Sequence, residues 1–118
     1  MGGLVMARDA EKNKTKETWG SLSWMANQSL SGSSVTVGRL ILHPGLSDFP
    51  HSHSNADEVI YLLKGSVSVQ MGGREVVLMP GDALTIPLKL AHRIRNNGTQ
   101  EAEMTLSYSS GIRKYTAE

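Results

Sequence analysis

Turn-forming residues punctuate this chain so often that no long helix fits between them. Gly32, Pro44-Gly45, Gly65, Gly72-Gly73, Pro80-Gly81-Asp82 and Asn97-Gly98 divide everything after Trp19 into short runs. No window sustains a helical period, and there is no internal repeat of solenoid length. The runs at about 21–28, 34–43, 58–64, 66–71, 74–79, 83–86, 91–96 and 101–109 read instead as β-strands. So many short strands with frequent turns predict an all-β fold, a jelly-roll barrel or sandwich. Asn97-Gly98 carries a strong hairpin signature.

The 118 residues are enough for one domain with a modest core, and the barrel is expected to occupy residues 19–118. Residues 7–18 are polar and lack hydrophobic periodicity, so residues 1–18 are expected to be a flexible N-terminal arm or an edge strand. Val59-Ile60-Tyr61-Leu62-Leu63 is apolar on both faces, so it needs cover inside and outside the barrel. A second copy of the chain is the simplest outer cover, which predicts a homodimer.

Twelve basic and eleven acidic side chains leave a net charge of +1, which gives no electrostatic case for nucleic acid or an anionic membrane as partner. The chain has no cysteine, so disulfides, thiolate metal sites and cysteine nucleophiles are excluded. No apolar run approaches the ~20 residues of a membrane span. Met1 to Ala10 has no basic region or apolar run of the secretory kind, and Met6 stands where a myristoylation signal wants Ser or Thr. A cytoplasmic location is the expectation.

Chemistry concentrates in the block Gly45-x5-His51-x-His53-x4-Glu58-x6-Gly65. Residues two apart on a strand project to one face, so His51 and His53 converge. Glu58 opens an apolar strand as its one inward charge, on the same face as Ile60 and Leu62. A lone buried carboxylate is costly, and a coordinated cation removes most of that cost. Neutral imidazoles with an anionic oxygen are the ligands a divalent transition metal takes. Asp57 falls on the opposite face, towards solvent.

A second block, Gly81-x5-Pro87-x4-His92-x3-Asn96, supplies a third histidine. Together the two blocks resemble the paired signature motifs of the cupin superfamily, over residues 45–96. The resemblance implies a double-stranded β-helix, the cupin jelly-roll barrel, with His51, His53, Glu58 and His92 as ligands of one divalent transition metal: Fe, Mn, Zn or Ni. Strand parity agrees for His92, which shares a face with Ile94 and Asn96 while Arg93 and Arg95 point out. One position departs from the pattern: Lys89 stands where the second motif usually has glycine, a place that commonly demands a positive φ.

His43 has no place in either motif and reads as structural or surface. Asn96 reads as turn chemistry, and Trp24, Met25, Met71, Met104 and Tyr108 read as core. Asp48 and Phe49 lie in the loop leading to His51, placed equally well on the surface or in the pocket wall. The serines form no Gly-x-Ser-x-Gly elbow and the glycines no phosphate loop.

Three imidazoles and a carboxylate leave one or two open positions on a metal that prefers five or six ligands. Such a site suits an enzyme acting on a small oxygenated substrate, by oxygenase, isomerase or lyase chemistry. The rival reading is a non-catalytic metal- or ligand-binding module, because cupin folds serve both ends.

Overall fold

The computed structural model describes residues 5–6 and 10–118. Its elements are short, as the turn spacing requires. A 3-10 turn (Ala10–Asn13) precedes β1 (Lys14–Glu17) and β2 (Gly20–Ala26), then one helical turn, α1 (Gln28–Ser31), and β3 (Thr36–Leu42). The two-residue β4 (His51–Ser52) leads to β5 (Glu58–Lys64), β6 (Val67–Met71), β7 (Arg74–Leu78) and β8 (Ala83–Ile86). Then come β9 (His92–Asn96), β10 (Ala102–Tyr108) and β11 (Thr116–Ala117).

Two antiparallel sheets pack face to face as a jelly roll, with strand orders β1-β2-β3-β10-β5-β8 and β11-β4-β9-β6-β7. Alternation assigns the inner faces. In β3 and β10 every second residue is buried, and in β5 Glu58, Ile60 and Leu62 are buried while Val59, Tyr61 and Leu63 are not. Leu40, Leu42, Ile60, Leu62, Met104 and Leu106 of one sheet meet Val67, Val69, Leu78 and Ile94 of the other. Each such side chain contributes roughly 1.5–3 kcal/mol by leaving water, so the core is independent of any ligand. Gly38 leaves room for the Trp24 indole, since a Cβ there would sit 2.7 Å from its ring.

The strands expected at 58–64 and 83–86 appear with those bounds, and the others agree to within a residue or two at most ends. The run at 21–28 stops early because Asn27 caps α1, its Oδ1 accepting from the Leu30 amide at 2.7 Å, and Gly32 closes that turn at φ 66°. β4 and β11 were not expected. Asn97-Gly98 forms no hairpin: β9 and β10 belong to opposite sheets, so the turn is a crossover between layers. Asn96 secures it, donating from Nδ2 to the carbonyls of Leu42 and Gln100 (both 2.8 Å) and accepting the Gly98 amide at Oδ1.

Within the segment 1–18, residues 1–4 and 7–9 lie outside the described residues, and Lys14–Glu17 forms the exposed edge strand β1. No helix among the described residues is long and apolar enough to cross a membrane. Lys89 takes φ 70°, the one positive φ outside glycine among the described residues. The loop before His92 thus keeps the left-handed conformation that glycine would adopt freely, at a steric cost of about 1–2 kcal/mol. The Lys89 amide donates to the His53 carbonyl at 2.8 Å, which ties this loop to the other histidine block.

Candidate metal centre

The sheet registers bring the two histidine blocks together. His51 of β4 and His92 of β9 are direct cross-strand partners in one sheet. Glu58 of β5 and Tyr108 of β10 are partners in the other. All four side chains point into the space between the layers, and His53, one residue beyond β4, joins them. The structure thus gathers all four residues singled out in the sequence. His51, His53, Glu58 and His92 are buried, and their candidate ligand atoms lie within 4.8 Å of one another.

Each imidazole is fixed through its outer nitrogen. His51 Nδ1 donates to the Phe49 carbonyl at 2.7 Å, His53 Nδ1 to the Lys114 carbonyl at 2.7 Å, and His92 Nδ1 to the Leu90 carbonyl at 2.9 Å. A ring whose Nδ1 carries the proton presents a bare lone pair at Nε2. His92 Nε2 lies 3.0 Å and His53 Nε2 3.4 Å from Glu58 Oε1, yet neither contact has hydrogen-bond direction, and all three atoms are buried without a partner. Electron-rich atoms facing one another in a dry pocket call for a cation between them. Ligands ~2.1 Å from one ion stand roughly 3–4 Å apart, so small side-chain shifts suffice to close the set. The donor set fits a divalent transition ion.

The electrostatics make the same demand. Burial alone would push the Glu58 carboxyl up and the His92 imidazole down. Their mutual attraction, with His53 adding to it, outweighs burial, so Glu58 is driven down to about 2 and His92 is raised. The pocket therefore favours positive charge beside Glu58, which a metal ion held by these residues would supply. Burial lowers His51 to about 4 against the opposing pull of the Phe49 carbonyl, keeping that ring neutral and ready to ligate.

A second layer surrounds these groups. Tyr108 donates its phenol proton to Glu58 Oε2 at 3.2 Å and accepts from Arg113 Nε at 3.2 Å. Burial, then the Glu58 charge, raises the Tyr108 phenol further, so it keeps its proton. Tyr115 stacks on His51 with ring centroids 4.7 Å apart and planes 14° from parallel. Asp48 is buried; its Oδ1 accepts the Ile94 amide at 2.8 Å, and burial raises its carboxyl to about 7. A cavity of about 160 Å³ adjoins the centre, lined on its polar side by Asp48, His51, Glu58, Tyr108, Arg113 and Tyr115. Its rim carries Phe49, 62% exposed.

Residues outside the two motifs supply most of this layer. Tyr108 is core, as its strand parity implies, and also bonds Glu58. Asp48 lies in the pocket wall, one of its two expected placements. Arg113 and Tyr115 were not foreseen; they lie in a polar stretch whose only legible signal is its aromatic and basic content. Asp57 faces solvent, where its Oδ1 accepts the Leu88 amide at 3.0 Å, and His43 pairs with Glu101 on the surface at 3.0 Å. The Lys89 side chain is exposed and lines none of the cavities described.

Residues 38–108 match the cupin domain family. The chain is 35% identical over 81 residues to the tetracenomycin polyketide synthase protein TcmJ of Streptomyces glaucescens, covering 69% of this chain and 54% of that one. It is 29% identical over 112 residues to germin-like protein subfamily 2 member 1 of Arabidopsis thaliana, covering 87% of this chain and 51% of that one. The chain thus spans about half the length of these curated relatives. Among solved structures, the oxalate decarboxylase of Lactobacillus farciminis superposes with a TM-score of 0.82 at 17% identity, over 88% of this chain and 32% of that one, a likeness of fold.

Proposed function

The chain belongs to the cupin domain family, and from that premise we propose that it is a metal-dependent enzyme acting on a small oxygenated molecule. In this reading His51, His53, Glu58 and His92 hold one divalent transition ion, Fe, Mn, Zn or Ni, at the wall of the 160 Å³ cavity. One observation carries it: the backbone carbonyls fix all three Nδ1 atoms, which turns bare Nε2 lone pairs towards a buried carboxylate oxygen with no donor among them. Once bound, the ion would supply Lewis-acid polarisation of a substrate oxygen or, if redox-active, dioxygen chemistry.

The chain's own groups have definite work. Tyr108 occupies Glu58 Oε2 and leaves Oε1 to face the imidazoles. Tyr115 covers the outer face of His51 and keeps bulk water from it. The cavity beside the four residues favours turnover over a bare binding module, because it offers a reacting molecule space next to them. Relatives whose names mark them as polyketide synthase proteins favour an enzyme as well. The reaction belongs to the oxygenase, isomerase or lyase type.

Element analysis of protein purified without a chelating tag tests the reading, with about one transition ion per chain expected. Affinity should also depend on pH with a fixed sign. Protonated His92 cannot ligate, so affinity is full above its raised pKa and falls about tenfold per pH unit below it. His51 adds to the loss only near pH 4, where its own proton returns. Affinity that stays flat from pH 8 to pH 4 would exclude His92 as a ligand.

We also propose that a second copy covers the outer face of β5, where Val59, Tyr61 and Leu63 are 37%, 42% and 44% exposed on one strand. Sedimentation of the wild type should then give twice the chain mass, and Tyr61→Glu should halve it.

A further inference from the structure

Arg113 has a charge that the metal reading does not use. Its guanidinium carbon lies 5.1 Å from the centroid of the Trp24 ring, 5.5 Å from that of Tyr108 and 5.3 Å from that of Tyr115. Three aromatic rings hold a flat cation firmly without neutralising it. Its Nε–H donates to the Tyr108 hydroxyl, which accounts for one of the five N–H donors of a guanidinium. Among the described residues no carboxylate lies within ion-pair distance of it. A half-buried cation on a cavity wall, two hydrogen bonds from Glu58, is placed to meet an anion beside the candidate metal centre.

The rest of the cavity limits what that anion is. Trp19, Leu22, Leu40, Ile94 and Leu106 form its apolar side. A volume of about 160 Å³ is close to the ~150 Å³ that holds a benzene ring in an engineered protein cavity. Glu17, at the exposed rim of the same cavity, adds a negative group, which disfavours a second charge on the guest. Asp48 already accepts the Ile94 amide and does not pair with Arg113.

We infer that Arg113 is the specificity-determining residue of this cavity and that the cavity takes a monocarboxylate with an apolar body the size of a single ring. The inference deepens the metal reading and rests on it for the orientation of the guest: carboxylate and neighbouring oxygens towards Arg113 and His51, apolar body towards Leu40 and Ile94. It separates this chain from a receptor for very small diacids, which have no apolar part to bury, and from one that encloses a multi-ring molecule.

Calorimetric titration of the full chain, loaded with zinc and assayed for metal content, tests this with three probes: benzoate, its neutral isostere benzamide, and acetate. Benzoate should bind at least tenfold more tightly than either of the others. In Arg113→Gln the benzoate affinity should fall at least tenfold and its advantage over benzamide should vanish, with metal content unchanged. Arg113→Lys should keep part of that advantage. Equal binding of benzoate and benzamide by the wild type, or an advantage that survives Arg113→Gln, overturns the role of Arg113. Acetate that binds as tightly as benzoate overturns the apolar body. If Arg113→Gln does not fold, the three probes on the wild type and on Arg113→Lys decide the matter. A wild type that prefers benzoate but takes up no metal leaves the anion site standing and removes the metal centre instead.

Discussion

Exchanging His51 and His53 together for alanine should reduce bound metal from about one ion per chain to a trace. If the roughly 10–16 kcal/mol of a four-ligand zinc site is shared evenly, two imidazoles carry about half, a loss of more than ~10³-fold in affinity. The fold should survive, because the apolar core formed by Leu40, Ile60, Leu62, Val69 and Ile94 owes nothing to the metal. Element analysis and the thermal midpoint, measured on the same preparation, separate the two effects. A double variant with full metal content would end the assignment. A double variant that does not fold would instead mark the centre as structural.

Glu58→Gln removes the anion at constant volume and should weaken metal binding by at least the ~10–100-fold that changes to outer-shell partners cost. Any turnover should drop with it. Without metal the thermal midpoint at neutral pH should fall as well, because the amide removes the charge whose attraction to His92 and His53 holds the Glu58 carboxyl below its ordinary range. The pH profile of metal binding supplies an independent check. With no carboxylate to hold its proton, His92 returns towards the value that burial favours, so the fall in affinity should move to lower pH. Wild-type affinity in the variant would mean that Glu58 does not ligate and that three imidazoles alone hold the ion.

The candidate centre was legible in the sequence because its residues obey strand parity. Glu58, Ile60 and Leu62 alternate with Val59, Tyr61 and Leu63, so one glance along β5 separates the inward carboxylate from its neighbour Asp57. His51 and His53 share a face by the same rule, and His92 by the alternation of β9. The fold class followed from turn spacing. Asn97-Gly98 misled because a turn signal fixes the local backbone and not the sheet that the next strand joins; here Asn96 ties its own strand to Leu42 in the facing layer. β4 and β11 escaped notice because two-residue ladders have no periodicity and exist only through their partners. Arg113 and Tyr115 were illegible for the same reason: their place beside His51 depends on a fold-back of residues 112–118 that no local pattern encodes.

That fold-back has a practical side. Thr116 and Ala117 pair with Ser52 and His51, the Glu118 amide donates to the Pro50 carbonyl at 3.0 Å, and its carboxylate accepts from Ser52 Oγ at 2.6 Å. Anything joined after Glu118, whether natural sequence or an affinity tag, therefore leaves the molecule beside β4 and within a few residues of the imidazoles. A polyhistidine tail at that end would offer rival nitrogen donors at the doorstep of the centre and distort any measured stoichiometry. The same tail placed before Met1 would be separated from β1 by residues 1–13. Purification handles for this protein belong there.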